Sequence, residues 1–246
     1  MQAFIPSAGL GTRLRPLTNL KPKALVEIGG LTLLERTIRR VIDAGAHHIV
    51  INVHHFADQI VDFITQHHWD ADIRISDESQ QLLDTGGGLH HAAPLFLDDE
   101  PILIHNVDVL SAIDLGELQT QHRQQHNLVT LAVSRRNSSR QLLFDKNGHL
   151  AGWHNRQSDS HLWSSQPIEN AIPLAYSGIA LVSPQLPTLL PASPTAYPII
   201  PEYLRLAKTE RIGAFEHDSR CWVDVGRIET LHQLEERLHS HGDFFA

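Results

Sequence analysis

The sequence predicts an α/β fold: a mostly parallel sheet with helices on both faces. Three observations carry that prediction. Strand-like apolar runs alternate with helical periodicities from Ala3 to Ser134. That rhythm is the mark of βαβ units, whose crossovers lay helices over a parallel sheet. The chain has 246 residues and 41% apolar content, enough to bury a sizeable core. Cys221 is the only cysteine, so no disulfide within the chain can staple the fold.

Taken in order, residues 3–5 (AFI) read as a short buried strand. Leu34, Ile38, Val41 and Ile42 recur at helical spacing behind a capping-box signature, Thr32 to Glu35. Gly45 closes that helix. Residues 48–53 (HIVINV) are the next strand. A helix over 57–67 follows, with Ile60, Phe63 and Ile64 on one face. Residues 72–76 (DIRIS) alternate as a strand, 88–96 are expected to be helical, and 102–106 (ILIHN) form another buried strand. Asp114 and Glu117 stand as cap and N3 partner of a helix over 114–126, and 128–134 (LVTLAVS) are a strand. Beyond Ser134 the pattern changes. A hairpin is expected over 142–153 around Asn147-Gly148. Residues 156–173 are polar and weakly patterned, 174–182 are a strand, and 184–201, with six prolines, read mostly as loop. A helix over 202–208, a short strand over 221–225 and a closing helix over 229–239 complete the chain. No internal repeat or linker stands out. The expected organisation is one domain, 1–246, with 1–134 as one half and 135–246 built onto its sheet.

The formal net charge is -8, which argues against a broad nucleic-acid partner, where a basic face is expected. No apolar run approaches the length of a spanning helix, and no membrane partner is expected. The start of the chain lacks the basic and apolar regions of a signal peptide. With one cysteine, a reducing cytoplasm is the expected setting. The 18 histidines fall in pairs and singles without a linear metal-ligand spacing, so they are expected as surface or half-buried residues.

Residues 7–26, SAGLGTRLRPLTNLKPKALV, depart from this acidic background. Arg13, Arg15, Lys21 and Lys23 are gathered there without an acidic residue. Glycines just after a first strand let backbone amides approach phosphate oxygens. A P-loop would need Gly-Lys-Ser/Thr, which is absent, and a dinucleotide fingerprint would need glycine where Leu14 stands. Pro16 and Pro22 point instead to an extended loop. Arginine forks and lysine point charges suit phosphates, although a solvated basic loop would show the same residues. Ser7-Ala8-Gly9 and Asn106-Val107-Asp108 both lie just past strand ends, where ligands of parallel sheets gather. Asp224, on an apolar strand, needs a cation or donor beside it.

Gly9-x-Gly11-Thr12-Arg13-Leu14-Arg15-Pro16-Leu17-Thr18 followed by Pro22-Lys23-x-Leu25 resembles the signature of the sugar-1-phosphate nucleotidylyltransferases. Asp84-Thr85-Gly86-Gly87-Gly88, Asp108 and Asp224 follow in the family's order. The resemblance implies a Rossmann-like three-layer sandwich with a mixed, mostly parallel sheet and a small sugar-binding lobe, similar to glycosyltransferase-A folds. It implies transfer of a nucleotidyl group from a nucleoside triphosphate to a sugar-1-phosphate, with release of pyrophosphate and Mg²⁺ as cofactor. By the same resemblance Ala8, Gly9, Gly11 and Thr12 wrap the triphosphate with backbone amides. Arg13 holds the β- and γ-phosphates, and Lys23 lies near the reacting centre. Asp84, Gly86 and Gly87 surround the nucleobase, and Asn106 joins the nucleotide side. Asp108 and Asp224 hold Mg²⁺, with Arg13, Lys23 and Asp108 as the catalytic set. Tyr176, Ser177 and Gly178 lie beside the sugar. A Glu-Lys-Pro motif of several hexose-phosphate relatives is missing between Arg136 and Pro173. Its absence, the short chain and DTGGG resemble most the short uridylyltransferases of N-acetylmuramate 1-phosphate, which favours UTP. Mannose- and heptose-1-phosphate guanylyltransferases come second, and a catalytically silent nucleotide-sugar-binding subunit, which would keep the glycine loop and lose a metal carboxylate, is the other alternative. A monomer or homodimer is expected.

Overall fold

The computed structural model describes residues 1–192 and 195–241. In chain order its elements are β1 (Gln2–Pro6), β2 (Glu27–Ile28), β3 (Leu31–Thr32), α1 (Leu33–Asp43), β4 (His48–Val53), α2 (Ala57–Thr65), β5 (Asp72–Asp77) and α3 (Asp84–His91). Next come β6 (Ile102–His105), β7 (Val109–Ser111), α4 (Leu115–Gln124), β8 (Val129–Ser134), β9 (Arg140–Phe144), β10 (Leu150–Asn155), β11 (Ser160–Trp163) and β12 (Ile172–Val182). The chain continues through α5 (Leu186–Leu189), α6 (Ile199–Leu206), β13 (Ile212–Glu216), β14 (Trp222–Asp224) and α7 (Ile228–His241).

Among the described residues one ten-stranded sheet runs β11-β10-β9-β12-β6-β1-β4-β5, with β8 joining β12 to β13. β1 pairs in parallel with β4 and with β6, and β4 with β5. β12 runs antiparallel to β6 and β8. The sheet is therefore mixed and mostly parallel in its first half. Strand order reverses at β1, because the chain moves to β4 on one side and returns to β6 on the other. Open α/β sheets leave a crevice at such a reversal, outside the strands' carboxyl ends.

Alternation along β1 feeds two helical layers. Ala3 and Ile5 join the cluster under α1, α2, α4 and α7, with Leu34, Ile38, Ile60, Leu118 and Leu231. Phe4 joins the opposite cluster, with Leu89 of α3 and Tyr203 of α6. Side chains alternate faces along a strand, so one short strand serves both cores. Local signals set the helix starts. The Glu35 amide donates to Thr32 Oγ1 at 3.0 Å and the Glu117 amide to Asp114 Oδ1 at 2.8 Å. Such caps stabilise a helix by about 1 kcal/mol each.

Several expectations shift. The helix expected over 88–96 begins earlier, at Asp84, and ends at His91. The glycines thus lie within its first turns, where propensity alone disfavours them. The loop expected as extended over 12–25 is folded into three short helical turns, Thr12–Leu14, Leu17–Asn19 and Lys23–Leu25. The proline-rich segment carries α5 and the start of α6. Of that segment, residues 193–194 lie outside the described residues. β7, β11 and β13 had no strong local pattern, because pairing with a neighbour, not alternation, defines them.

Candidate active site

A cleft of about 580 Å³ opens at the carboxyl ends of β1 and β6. Its walls include residues 6–13, Lys23, Asn52, Glu78, Asp84, Thr85, Asn106, Val107, Asp108 and Gly226. Ala8, Gly9, Gly11, Thr12, Arg13, Lys23, Asp84, Asn106 and Asp108 are thus brought together from four separate stretches of chain.

The glycine turn is held from below. Leu14 and Ala24 are fully buried, which pins both ends of the basic loop to the core. Gly11 has φ +61, and a Cβ there would lie 2.9 Å from Lys23 Cβ and 3.1 Å from Thr18 Cγ2. Only glycine meets both demands. Thr18 Oγ1 donates to the Gly11 carbonyl at 2.9 Å. The Ser7 amide donates to Asn52 Oδ1 at 2.6 Å, and Asn52 Nδ2 donates to Glu78 Oε1 at 2.6 Å. Glu78 Oε2 accepts from the Leu83 amide at 3.1 Å. This buried chain of bonds couples the glycine turn to the start of α3. The Ser7 hydroxyl points toward the Ile5 carbonyl, at 3.4 Å.

Lys23 Nζ contacts Asp108 Oδ2 directly, with both side chains largely covered. Asp108 is held by β7 and β14. Asp224 is the register partner of Val109, and the Val225 amide donates to the Asp108 carbonyl at 2.9 Å. That pairing carries Asp224, 116 positions along the sequence, to within one register step of Asp108. Gly226 completes the corner. A Cβ there would come 2.7 Å from both Arg13 Nη2 and Asp224 Oδ1. Val107 is buried and is not among the residues with positive φ, so this turn does not need glycine.

Two groups of expected residues sit elsewhere. Gly86 and Gly87 do not line the cleft. Their amides donate to the Tyr197 carbonyl at 3.0 and 3.3 Å, and a Cβ on Gly86 would lie 2.5 Å from the Tyr197 ring. The glycines make room for the proline-rich segment, which covers the face expected to approach a base. Asp84 does face the cleft, at φ +61, with Oδ1 accepting from the Thr85 amide at 2.6 Å. Ser177 and Gly178 are buried beneath the site rather than open to a ligand. The Gly178 carbonyl accepts from the Asn106 amide at 2.9 Å, and Ser177 Oγ bonds His217 Nε2 at 2.7 Å. Tyr176 is half-buried, and burial pushes its phenol well up. Gly178 supports Asn106 from behind, while the Tyr176 carbonyl and the Ser177 hydroxyl accept from Arg136.

Sequence reasoning missed Asn52 and Glu78. Both stand at or just past the carboxyl end of a strand, so the rule that found Asn106 was available for them. It also missed Arg136 and Trp222. The Arg136 guanidinium lies 3.9 Å over the Trp222 ring, and Trp222 Nε1 donates to the Ser177 carbonyl at 2.7 Å. Burial lowers the Arg136 pKa, while Asp224 opposes that shift. No local pattern announced this support for the Asp224 strand.

The sequence matches the nucleotidyl transferase family over residues 2–142, more than half of the chain. The chain belongs to the nucleotidyl transferase family. Across its length this nucleotidyl transferase is 30% identical to N-acetylmuramate alpha-1-phosphate uridylyltransferase of Caulobacter vibrioides, over 96% of each chain. It is 28% identical to mannose-1-phosphate guanyltransferase of Aspergillus oryzae, over 92% of this chain and 61% of that protein. Its fold superposes on UDP-glucose pyrophosphorylase from Acinetobacter baumanii with a TM-score of 0.80 at 15% identity, covering 99% and 95% of the two chains. The mixed, mostly parallel α/β architecture is thus shared with that structure. No helix among the described residues is long and apolar enough to cross a membrane.

Proposed function

We propose that this nucleotidyl transferase joins a nucleoside triphosphate to a sugar-1-phosphate, releasing pyrophosphate, and that the pair is UTP and N-acetylmuramate 1-phosphate. The observation that carries the reaction class is the meeting of Arg13, Lys23 and Asp108 around one cleft at the reversal point of the sheet, with Asp224 packed against Gly226 of its wall. The substrate pair rests on similarity over 96% of both chains to a uridylyltransferase of that sugar phosphate.

A phosphate monoester is already a competent nucleophile. Its oxygen attacks the α-phosphorus in line, the bond to the β-phosphate breaks, and pyrophosphate leaves from the opposite face. Positioning and charge neutralisation then supply the rate. Arg13 and Lys23 neutralise the leaving phosphates. Asp108 and Asp224 suit a hard divalent cation, being carboxylates on a paired strand edge. The Lys23 ammonium on Asp108 supports this reading, since that carboxylate already has a cation beside it. Bound there, Mg²⁺ would lower the repulsion between the acceptor phosphate and the triphosphate. Holding it would weaken the hold of Asp108 on Lys23, which would leave Lys23 for phosphate oxygens. The Ser7–Asn52–Glu78–Leu83 chain of bonds keeps the glycine turn and the Asp84 segment in one geometry.

A guanylyl reading has one observation in its favour. Asp84 is exposed at the cleft, and a carboxylate can accept from N1 and N2 of guanine. The deciding experiment is a pyrophosphate-release screen of four nucleoside triphosphates against several sugar-1-phosphates. It is followed by equal UTP and GTP in competition, with N-acetylmuramate 1-phosphate and with mannose 1-phosphate. A dominant UDP-sugar supports the pair proposed. A dominant GDP-sugar overturns the uridylyl choice, and no release with any pair overturns the reaction.

A further inference from the structure

β10 and β11 form the hairpin at the far end of the sheet, separated from β12 by β9. In their antiparallel register His154 is directly opposite His161. Such partners hold their Cβ atoms about 4.5–5.5 Å apart. The two imidazoles stack with centroids 3.9 Å apart and planes 10° apart. His154 Nε2 lies 3.1 Å from Asp159 Oδ1. One nitrogen of each ring and one oxygen of Asp159 all lie within 4.8 Å of one another.

We propose that His154, Asp159 and His161 form a binding site for a borderline divalent metal ion such as Zn²⁺, Ni²⁺, Co²⁺ or Cu²⁺, separate from the catalytic cleft. Two imidazoles and one carboxylate are the donor set of such ions, whereas Mg²⁺ prefers oxygen alone. Ligand atoms bound tetrahedrally at 2.0–2.2 Å sit about 3.3 Å from each other. The His154–Asp159 pair is already at that separation, and His161 needs only a side-chain rotation, for which its exposed position leaves room.

The turn that presents these groups is tied down. The Arg156 amide donates to the Ser139 carbonyl at 2.8 Å, and Arg156 Nη1 donates to Asn137 Oδ1 at 2.8 Å. Asp159 sits at φ +50 in the turn, which carries its carboxylate back toward His154. A metal ion entering here takes the place of the hydrogen bond between His154 Nε2 and Asp159 Oδ1, and the neutral imidazole then carries its N–H on Nδ1. With three protein ligands the ion keeps an open position for water, as closed structural sites do not. The cluster escapes motif reading because its histidines meet across a hairpin, with six residues between them.

The test uses the full chain without a polyhistidine tag, in excess Mg²⁺ so that hard-ion sites are filled. Zn²⁺ is titrated calorimetrically, and Co²⁺ is followed by its visible absorption. One site per chain is expected from this cluster. His154→Ala and His161→Ala should each weaken it at least about 10-fold, Asp159→Asn should weaken it measurably, and the double histidine variant should abolish it. Independently, substoichiometric Ni²⁺ added to the unaltered chain should broaden the ring resonances of His154 and His161 before those of other histidines. Unchanged binding in the double variant, or earlier broadening of other histidines, overturns the proposal. The resonance experiment needs no variant, so a folding defect cannot mask the result.

Discussion

Lys23 and Asp108 touch across the cleft although 85 residues separate them in sequence. One comes from the basic loop and the other from the turn after β6. The contact places a cation and a carboxylate at the point where the proposed reaction needs both. In the proposed reaction a bound triphosphate would offer Lys23 a stronger partner, and a bound metal ion would do the same for Asp108.

Lys23→Ala should therefore lower kcat by about 10²–10³ with a modest change in KM, because its phosphate contact strengthens as charge develops. Arg15 is exposed and does not line the cleft, and Arg15→Ala should act mainly through KM. Steady-state kinetics on both variants separates the roles. The reverse ranking would mean that the loop meets the phosphates in a different register.

Removing metal with a chelator should stop pyrophosphate release, and Mg²⁺ should restore it. Asp108→Asn and Asp224→Asn should each cut turnover by orders of magnitude while thermal unfolding stays near that of the unaltered chain. A wild-type-like rate in either variant removes that aspartate from the mechanism. Gly226→Ala tests the same corner without altering charge. Its methyl group would meet Arg13 Nη2 and Asp224 Oδ1 at 2.7 Å, so kcat should fall although no ionisable group has changed.

Gly86→Ala distinguishes packing from base recognition. Alanine gains about 1 kcal/mol in helix propensity. The new methyl group also meets the Tyr197 ring at 2.5 Å and the Tyr197 carbonyl at 3.0 Å. Overpacking of this kind costs roughly 1–3 kcal/mol, so denaturant unfolding should show a net loss of stability. Combining it with Tyr197→Ala should give less than the sum of the two single losses. Strict additivity would detach Gly86 from Tyr197.

His122 makes stability depend on pH. It is buried, with Nδ1 2.9 Å from Thr130 Oγ1. Burial, with Arg123 adding to it, lowers its pKa to about 4. The folded state holds this histidine neutral, so the unfolded chain binds the extra proton between about pH 6.5 and pH 4. Stability is complete above pH 6.5 and declines as pH falls through that window, by up to about 3 kcal/mol from this group. Thermal midpoints measured across the window should fall less steeply in His122→Asn than in the unaltered chain.

The sequence by itself determined the alternation of strands and helices, the caps at Thr32 and Asp114, and the basic glycine loop with its family signature. Those signals are local: periodicity, side-chain-to-backbone bonds within a turn, and residue order along one loop. Asp108 and Asp224 were individually legible for the same reason. Tertiary structure alone decided that they share a corner, because the β7–β14 register that joins them pairs two short strands without a strong pattern of their own. It also decided that Gly86 and Gly87 serve Tyr197, that Ser177 and Gly178 lie behind Asn106, and that Asn52 and Glu78 bind the cleft walls together. A glycine shows that space is needed but not which neighbour fills it. That neighbour is chosen by long-range packing, where each contact joins residues far apart in the chain.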